Sequence, residues 1–118
     1  MKIFLVENSL LVRDRLRPLL QALSGVEIVG EAASAKEALD GIAAAGADAV
    51  VLDLHLDGSS GFDVLRALQK SAPRVVVYVL TSFASEAYRR TAERLGARGF
   101  FDKSGEIPRL LATLSEKS

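Results

Sequence analysis

The feature that most constrains the fold is an alternation, repeated five times, of short apolar segments with segments of helical periodicity. Short runs rich in Val, Ile, Leu and Phe predict strands, whereas apolar residues spaced three and four positions apart predict amphipathic helices. The predicted strands cover residues 3–6, 26–29, 49–53, 75–80 and 99–101. A predicted helix follows each of them, so the chain consists of five predicted βα units.

The third and fourth predicted strands are continuously apolar, which is typical of strands covered on both faces. This pattern favours a parallel sheet with helices on either side. Five units are too few for the common eight-unit barrel, so we expect an open sheet. The predicted fold class is α/β, a (βα)5 doubly wound five-stranded parallel sheet with helices on both faces. We expect one domain over residues 1–118, because the sequence shows no linker and no internal repeat.

Several residues mark the ends of the predicted helices. Ser34 and Glu37 form a capping box, in which each residue can satisfy a free backbone N–H of the first turn. Gly46 and Gly96 are expected to end the second and fourth helices. Pro18 falls inside the first predicted helix, where it removes one backbone hydrogen bond and is expected to kink the axis.

Composition excludes several classes of protein. Hydrophobic residues make up 49% and charged residues 25% of the chain, which indicates a globular fold rather than disorder. The 15 basic and 15 acidic residues balance, so no bulk charge attracts nucleic acid or anionic membranes. There is no Cys, a single His, and no apolar run approaching the roughly 18 residues of a membrane span. Because Glu7 interrupts the first apolar run, no signal peptide is predicted and the cytoplasm is the expected compartment.

Polar side chains follow four of the predicted strands, at the sheet edge where open α/β folds bind their ligands. They are Glu7, Asn8, Asp53, Thr81, Ser82, Asp102 and Lys103. Two carboxylates and an amide in one place would repel or desolvate one another without a cation between them, and hard oxygen ligands suit Mg²⁺. The lysine suggests that a further anion, such as a phosphoryl group, visits the site. The glycine-rich segment 58–61 fits neither common nucleotide-binding loop.

Four motifs occur in order along the chain. They are Val6-Glu7-Asn8, the run VVLDLHLDGSSGFDVL over residues 50–65, Leu80-Thr81-Ser82, and Gly99-Phe100-Phe101-Asp102-Lys103. Together, and with this spacing, they resemble the motifs of bacterial two-component response-regulator receiver domains. The resemblance covers essentially the whole chain. It implies a chemotaxis-receiver-like, flavodoxin-like fold with the strand order 2-1-3-4-5.

The resemblance implies a phosphorylation site with a metal ion. Asp53 corresponds to the phosphoryl-accepting aspartate of the family. Glu7 and Asn8 correspond to the acidic pair that holds Mg²⁺ together with Asp53. The backbone carbonyl of His55, two residues further along, corresponds to another ligand of that ion.

Three further positions match residues that act on the phosphoryl group or respond to it. Lys103 corresponds to the lysine that pairs with the phosphoryl oxygens, and Thr81 to the hydroxyl residue that turns toward them. Phe100 occupies the position of the switch aromatic. The implied function is a phosphoacceptor receiver domain that takes a phosphoryl group from a sensor histidine kinase and switches a partner-binding face. It is not a metabolic enzyme, because it accepts and loses its own phosphoryl group.

The implied partners are a sensor histidine kinase or a phosphotransfer protein, and a downstream protein or an output domain. The resemblance is also compatible with a phosphorylation-dependent homodimer through the fourth helix, fifth strand and fifth helix. The expected partner surface lies near Tyr88, Phe100 and the start of the fifth helix. Neither nucleic acid nor a membrane is an expected partner, and the basic cluster on the fourth helix is interpreted as a solvated face. It comprises Arg89, Arg90, Arg94 and Arg98.

Departures from the family pattern leave an alternative open. Asn8 replaces the usual Asp, so the predicted metal site has one negative charge fewer, and the same residue is also a candidate N-cap of the first helix. Asp57 and Ser104 stand where Pro is frequent. A pseudo-receiver that binds proteins without being phosphorylated is the alternative function. A phosphatase of the haloacid dehalogenase type is disfavoured, because His55 stands where that class needs a second Asp.

Two side chains have a structural interpretation beside the functional one. Tyr78 is expected in the core, with a hydroxyl that finds a hydrogen-bond partner. The side chain of His55 is expected to be a solvated loop residue. The functional alternative is that this imidazole flanks the phosphoryl group and tunes its hydrolysis.

Overall fold

The computed structural model of the chain describes residues 1–117, in which five strands of one sheet alternate with five helices. These are β1 (Lys2–Val6), α1 (Leu10–Gln21), β2 (Glu27–Ala32), α2 (Ala35–Ala45), β3 (Ala49–Leu52), α3 (Gly61–Ser71), β4 (Val76–Thr81), α4 (Glu86–Arg94), β5 (Gly99–Asp102) and α5 (Ile107–Lys117). A separate two-residue antiparallel ladder joins His55–Leu56 to Ser59–Ser60. No helix within residues 1–117 is long and apolar enough to cross a membrane.

The sheet is parallel throughout, with the order β2-β1-β3-β4-β5. This confirms the predicted doubly wound α/β fold, in which α1 and α5 cover one face and α2, α3 and α4 cover the other. The order places β1 and β3 side by side at the centre. Residues that follow these two strands are therefore neighbours, although more than forty positions separate them in the chain.

The core consists of one apolar cluster on each face of the sheet. Because side chains alternate along a strand, Ile3 and Leu5 of β1 face α1 and α5, whereas Phe4 and Val6 face α2 and α3. Burial of each such side chain contributes roughly 1.5–3 kcal/mol. Tyr78 lies in the core as predicted. Its hydroxyl forms no hydrogen bond to a protein group within residues 1–117.

Serine side chains begin the helices. Ser9, Ser60 and Ser85 accept hydrogen bonds from N–H groups in the first turns of α1, α3 and α4. Ser34 accepts the N–H of Glu37 at 3.3 Å, as the capping box predicts. The carboxylate of Glu37 accepts the Ser34 hydroxyl at 3.1 Å, rather than a backbone N–H.

Glycines fix two chain reversals and one close approach. Gly46 and Gly96 follow α2 and α4 with φ angles of 63° and 99°, which confirms the predicted helix ends. Gly61 begins α3 against the backbone of Asp53, and a Cβ at this position would collide with the Asp53 carbonyl oxygen. The start of α3 is therefore held directly beneath the end of β3.

The first βαβ unit has two irregular features, a proline inside its helix and a second strand with shifted ends. Pro18 lies inside α1, as expected, and the helix continues past it to Gln21. β2 begins one residue later and ends three residues later than predicted, because its last residues pair with β1. Gly30 belongs to this added stretch and lies against the ring of Phe4, where a Cβ would not fit. A stretch containing Gly and Glu lacks the apolar signal that identifies a strand.

Candidate functional site

The carboxyl edge of the central strands carries two buried carboxylates that share one lysine. Glu7 follows β1 with 2% of its surface exposed, and Asp53 follows β3 with 5% exposed. Lys103, which follows β5, places its Nζ atom 2.5 Å from Glu7 Oε1 and 3.0 Å from Asp53 Oδ2. The structure therefore brings together three of the residues singled out from the sequence. Glu7 is therefore not a surface residue, and Lys103 is engaged by both acids rather than left to solvent.

Backbone groups fix the orientation of both carboxylates. Glu7 Oε2 accepts the N–H of Ser9 at 3.0 Å, and Asp53 Oδ1 accepts the N–H of His55 at 3.3 Å. Each carboxylate therefore uses one oxygen for the lysine and the other for the loop that follows its strand. The N–H of Lys103 donates to the carbonyl of Thr81 at 3.0 Å, which ties the start of its loop to the end of β4.

The charges in this cluster do not balance. Burial raises the pKa of Glu7 above its ordinary range, and the neighbouring charge of Asp53 acts in the same direction. Hydrogen bonds from Lys103 and from the N–H of Ser9 oppose the rise without overcoming it. Two carboxylates against one ammonium leave an excess of negative charge in a region of low dielectric.

This donor set fits a hard divalent cation. Carboxylate oxygens of Glu7 and Asp53, with a backbone carbonyl such as that of His55, are the ligand types that Mg²⁺ prefers. Within residues 1–117 no three His, Cys, Asp or Glu side chains gather closely enough to hold a metal by themselves. Amide, carbonyl and water oxygens would therefore have to complete the coordination. The excess negative charge at Glu7 and Asp53 supports a cation at this place.

Asn8 differs from its predicted placement in one respect. The N-cap of α1 is Ser9, whose hydroxyl accepts the N–H of Val12, so the capping role considered for Asn8 is wrong. The Asn8 side chain is exposed, and its Nδ2 lies 3.5 Å from Asp57 Oδ1. Because a carboxylate only accepts hydrogen bonds, this contact directs the amide nitrogen toward Asp57 and leaves the amide oxygen available.

Thr81 and Phe100 lie in the interior beside this edge. Thr81 ends β4 fully buried, and its Oγ1 accepts the N–H of Phe83 at 3.1 Å. Phe100, in β5, is buried in the core on the side of α4. The guanidinium of Arg89 lies 4.8 Å from the centre of the Phe100 ring, a cation–π contact between α4 and β5.

An aromatic group not predicted from the sequence covers the loops beside the acid pair. The imidazole of His55 stacks on the ring of Phe83, with 3.9 Å between centroids. Tyr88 lies 6.3 Å from His55 and makes an edge contact with Phe62. Phe83 is about half exposed. The sequence signal for this aromatic group is the Phe directly after the Leu80-Thr81-Ser82 motif. Its stacking partner comes from another loop, so the contact itself left no local pattern.

Comparison with known proteins gives one consistent family. A model of the response regulator receiver domain matches residues 3–115. The protein-glutamate methylesterase/protein-glutamine glutaminase 1 of Carboxydothermus hydrogenoformans is 36% identical over 118 residues, covering 98% of this chain and 34% of the relative. The DNA-binding transcriptional activator DevR/DosR of Mycobacterium tuberculosis is 36% identical over 102 residues, covering 86% of this chain and 47% of the relative. The chain therefore spans about a third to a half of these curated relatives.

Solved structures share the fold over nearly the whole chain. A LuxR-family two-component response regulator from Aurantimonas sp. SI85-9A1 has a TM-score of 0.92 and 28% identity, covering 98% of this chain and 83% of that chain. The response regulator domain of Thermotoga maritima CheB has a TM-score of 0.87 and 23% identity, covering 99% of this chain and 92% of that chain. With the family model spanning residues 3–115, the chain belongs to the response regulator receiver domains, the phosphoryl-accepting modules of two-component signalling.

Proposed function

We propose that Asp53 is the residue of this receiver that accepts the phosphoryl group. The observation that carries the proposal is the shared contact of Lys103 with Asp53 and Glu7 at the carboxyl edge of the sheet. A buried acid at the end of a central strand, with a cation 3.0 Å from one oxygen, is oriented for attack on an incoming anion. The preference for phosphorylation over a pseudo-receiver rests on this arrangement.

The proposed reaction is a direct phosphoryl transfer. A carboxylate oxygen of Asp53 attacks the phosphorus of a phosphohistidine on a sensor kinase or phosphotransfer protein. The O–P bond forms while the P–N bond breaks, and the imidazole departs with the bonding electron pair. Lys103 limits the repulsion between the two anions and pairs with the phosphoryl oxygens as charge develops on them.

Mg²⁺ is the proposed cofactor. Glu7, Asp53, the carbonyl of His55 and the amide oxygen of Asn8 would hold it. When bound, the ion supplies positive charge that offsets the repulsion between the carboxylate and the phosphoryl group. Glu7 would then serve as a ligand, and its ordinary partner in the absence of the ion is Lys103, 2.5 Å away.

We further propose that Thr81 and Phe100 transmit the modification. The Thr81 Oγ1 accepts the N–H of Phe83, so a turn of the hydroxyl toward a phosphoryl oxygen would shift or break that bond and loosen the loop before α4. Phe100 is already buried, so its ring responds by exchanging one buried position for another or by moving outward past Arg89. Either movement alters the face formed by α4, β5 and α5, where a partner or a second copy of the chain would bind.

The remaining partners follow from this assignment. A sensor kinase supplies the phosphoryl group in the cytoplasm, and a downstream protein or output domain reads it. The named relatives extend well beyond the region matched here, and include a methylesterase and a DNA-binding activator, which supports an output domain in the whole protein. Within that protein, residues 1–118 would form the receiver domain, with no metabolic activity of their own.

Labelling with acetyl phosphate and Mg²⁺, followed by intact-mass and peptide mapping, tests the proposal. We expect Asp53→Ala to abolish the addition of a phosphoryl group, and the matched change of an exposed acid on α3, Asp63→Asn, to leave it unchanged. Labelling that survives Asp53→Ala, or that maps to Ser59, Ser60 or Thr81, contradicts the assignment. A wild-type chain that stays unlabelled supports the pseudo-receiver.

A further inference from the structure

A cavity of about 380 Å³ opens at the amino ends of β3 and β4. This is the edge of the sheet opposite to Asp53, and none of the residues of the phosphorylation site lines it. Its volume falls within the roughly 300–1,000 Å³ of small-molecule sites in proteins. The cavity therefore has room for a ligand independent of the receiver chemistry.

Tyr78 supplies a buried polar group to this cavity. Its side chain is almost fully buried, yet its hydroxyl forms no hydrogen bond within residues 1–117. Among fully enclosed side-chain N and O atoms in that part of the chain, only Arg13 Nε lacks a partner, so the Tyr78 hydroxyl is reached by solvent. Because Tyr78 lines the cavity, the hydroxyl is available to a ligand there. A ligand oxygen that bonds this hydroxyl has only water to displace, not a protein partner.

Positive charge is in excess at the cavity. Arg98, which precedes β5, and Lys117, in the last turn of α5, both line it. Neither side chain forms an ion pair or hydrogen bond within residues 1–117. The acid that lines the cavity, Asp48, uses Oδ2 to accept the N–H of Lys2 at 2.8 Å. Two unpaired cations against one engaged carboxylate favour an anionic ligand.

Apolar side chains form the rest of the lining. Ala49 and Val76 begin β3 and β4, and Met1 lies beside them. Inorganic anions gain nothing from such a surface, whereas an organic anion buries apolar area against it. The combination of unpaired cations, an accessible hydroxyl and an apolar floor is complementary to a molecule with one acidic end.

We propose that this cavity binds a small organic anion. Its acid group lies between Arg98 and Lys117, and its apolar body covers Ala49 and Val76. The Tyr78 hydroxyl donates a hydrogen bond to an oxygen of the acid group. The site is independent of the proposed phosphorylation, since the two share no residue.

Three matched probes test the ligand class on the ¹⁵N-labelled full chain. They are 3-phenylpropionate, which has the acid and the apolar body, 3-phenylpropanol, which lacks the charge, and inorganic phosphate, which lacks the apolar body. We expect saturable amide shifts at Ala49, Val76 and Arg98 with 3-phenylpropionate, and binding weaker by about fivefold or more with the other two. Absence of saturable shifts at these residues, or equal binding of the alcohol, overturns the proposal.

Two variants test the residues assigned to the site. Arg98→Gln should weaken 3-phenylpropionate binding by about tenfold and Tyr78→Phe by about threefold, since a charge-assisted contact exceeds a neutral one. Arg74→Gln is the control, because Arg74 is exposed before β4 and does not line the cavity. Amide spectra show that each variant is folded. Unchanged affinity in either Arg98→Gln or Tyr78→Phe contradicts the assignment.

Discussion

Two ionic clusters in this molecule differ in their balance of acid and base. The acid-rich cluster consists of Glu7 and Asp53, which share Lys103. The Glu31 cluster consists of Glu31 on β2, which accepts two hydrogen bonds from Arg17 on α1, and Arg13 of α1, which lies 3.9 Å away. Arg17 also pairs with Asp14 of α1 at 3.1 Å, so two acids face two bases. Both tie neighbouring elements of the fold together. They differ in whether the protein itself neutralises the acid.

The pKa directions of the two glutamates follow this difference. The pKa of Glu31 lies below its ordinary range, chiefly because Arg17 donates hydrogen bonds to it. The pKa of Glu7 lies above its ordinary range, chiefly because burial penalises its charge. The Glu31 cluster is thus balanced and stabilising, whereas the acid-rich cluster retains negative charge that an incoming cation can neutralise.

The largest expected effect is the loss of stability in Glu31→Gln. This change leaves Arg13 without an acid and Arg17 with Asp14 alone, so for this partly buried pair we expect a clear fall in the urea midpoint. Asp53→Asn removes one of two competing acids and should leave stability unchanged or higher at neutral pH. Urea denaturation of both variants measures the difference. If Asp53→Asn were as destabilising as Glu31→Gln, the two clusters would not differ as described.

The next largest effect is an expected tenfold change in the affinity for Mg²⁺. Asn8→Asp adds a third acid to the acid-rich cluster, and a charge about 4 Å from the ion, reduced by solvent, contributes roughly 1–2 kcal/mol. Mg²⁺ should bind about tenfold more tightly. Titration monitored by amide shifts measures it, with Asp40→Asn on α2 as a control remote from the site. An affinity equal to or weaker than that of the wild type contradicts a metal role for position 8.

The pH dependence of stability should have opposite signs in the two clusters. Stabilisation by Glu31 is present above the ordinary pKa of a glutamate and is lost as the pH falls through its lowered pKa. The difference in stability between the wild type and Glu31→Gln should therefore become smaller in acid. Glu7 binds its proton more tightly when folded, so wild-type stability falls as the pH rises through its raised pKa. The stability of Glu7→Gln relative to that of the wild type should therefore increase as the pH rises. Thermal unfolding across a pH series, with a chelator present, measures how the stability of each variant relative to the wild type changes with pH. Changes of the same sign for Glu31 and Glu7 would contradict the opposite pKa directions described here.

Of these substitutions, Thr81→Ala is expected to change the free energy least. Thr81→Ala removes the proposed link between the acid-rich cluster and β5, without altering the charges. Beryllofluoride with Mg²⁺ should shift the amides around Phe100 and α4 in the wild type and much less in the variant. Full-sized shifts in Thr81→Ala would show that the coupling follows another route.

Most of the fold, and the centre of the site, could be predicted from the sequence. Short apolar runs and helix-ending glycines such as Gly46 are local signals, and a parallel sheet necessarily collects the residues that follow its strands. Asp53 and Lys103 were therefore predictable as neighbours. The late end of β2 was not, because Gly30 and Glu31 join the strand through pairing with β1 rather than through their own propensity.

Details that depend on competition between partners were not predictable. Ser9 rather than Asn8 caps α1, because Glu7 binds the N–H of Ser9 and sets the start of the helix. The stacking of His55 on Phe83 joins two loops whose conformations no periodic pattern encodes. The two-residue ladder that follows Asp53 is too short to leave an alternating pattern.

Gly61 also determines where the chain can vary in length. No side chain fits at this junction between the loop that follows Asp53 and α3, and the N–H of Gly61 donates to the carbonyl of Leu54 at 2.9 Å. At Gly58, the tip of the same loop, the space where a side chain would begin is open. Insertions at the tip would enlarge the surface beside Asp53 at the expense of the hydrogen bonds that Asp57 and Ser59 make to Ala33 and Ala35, whereas insertions at Gly61 would displace the acid itself. The loop is thus extensible at one end only, which makes its tip the place to graft a reporter.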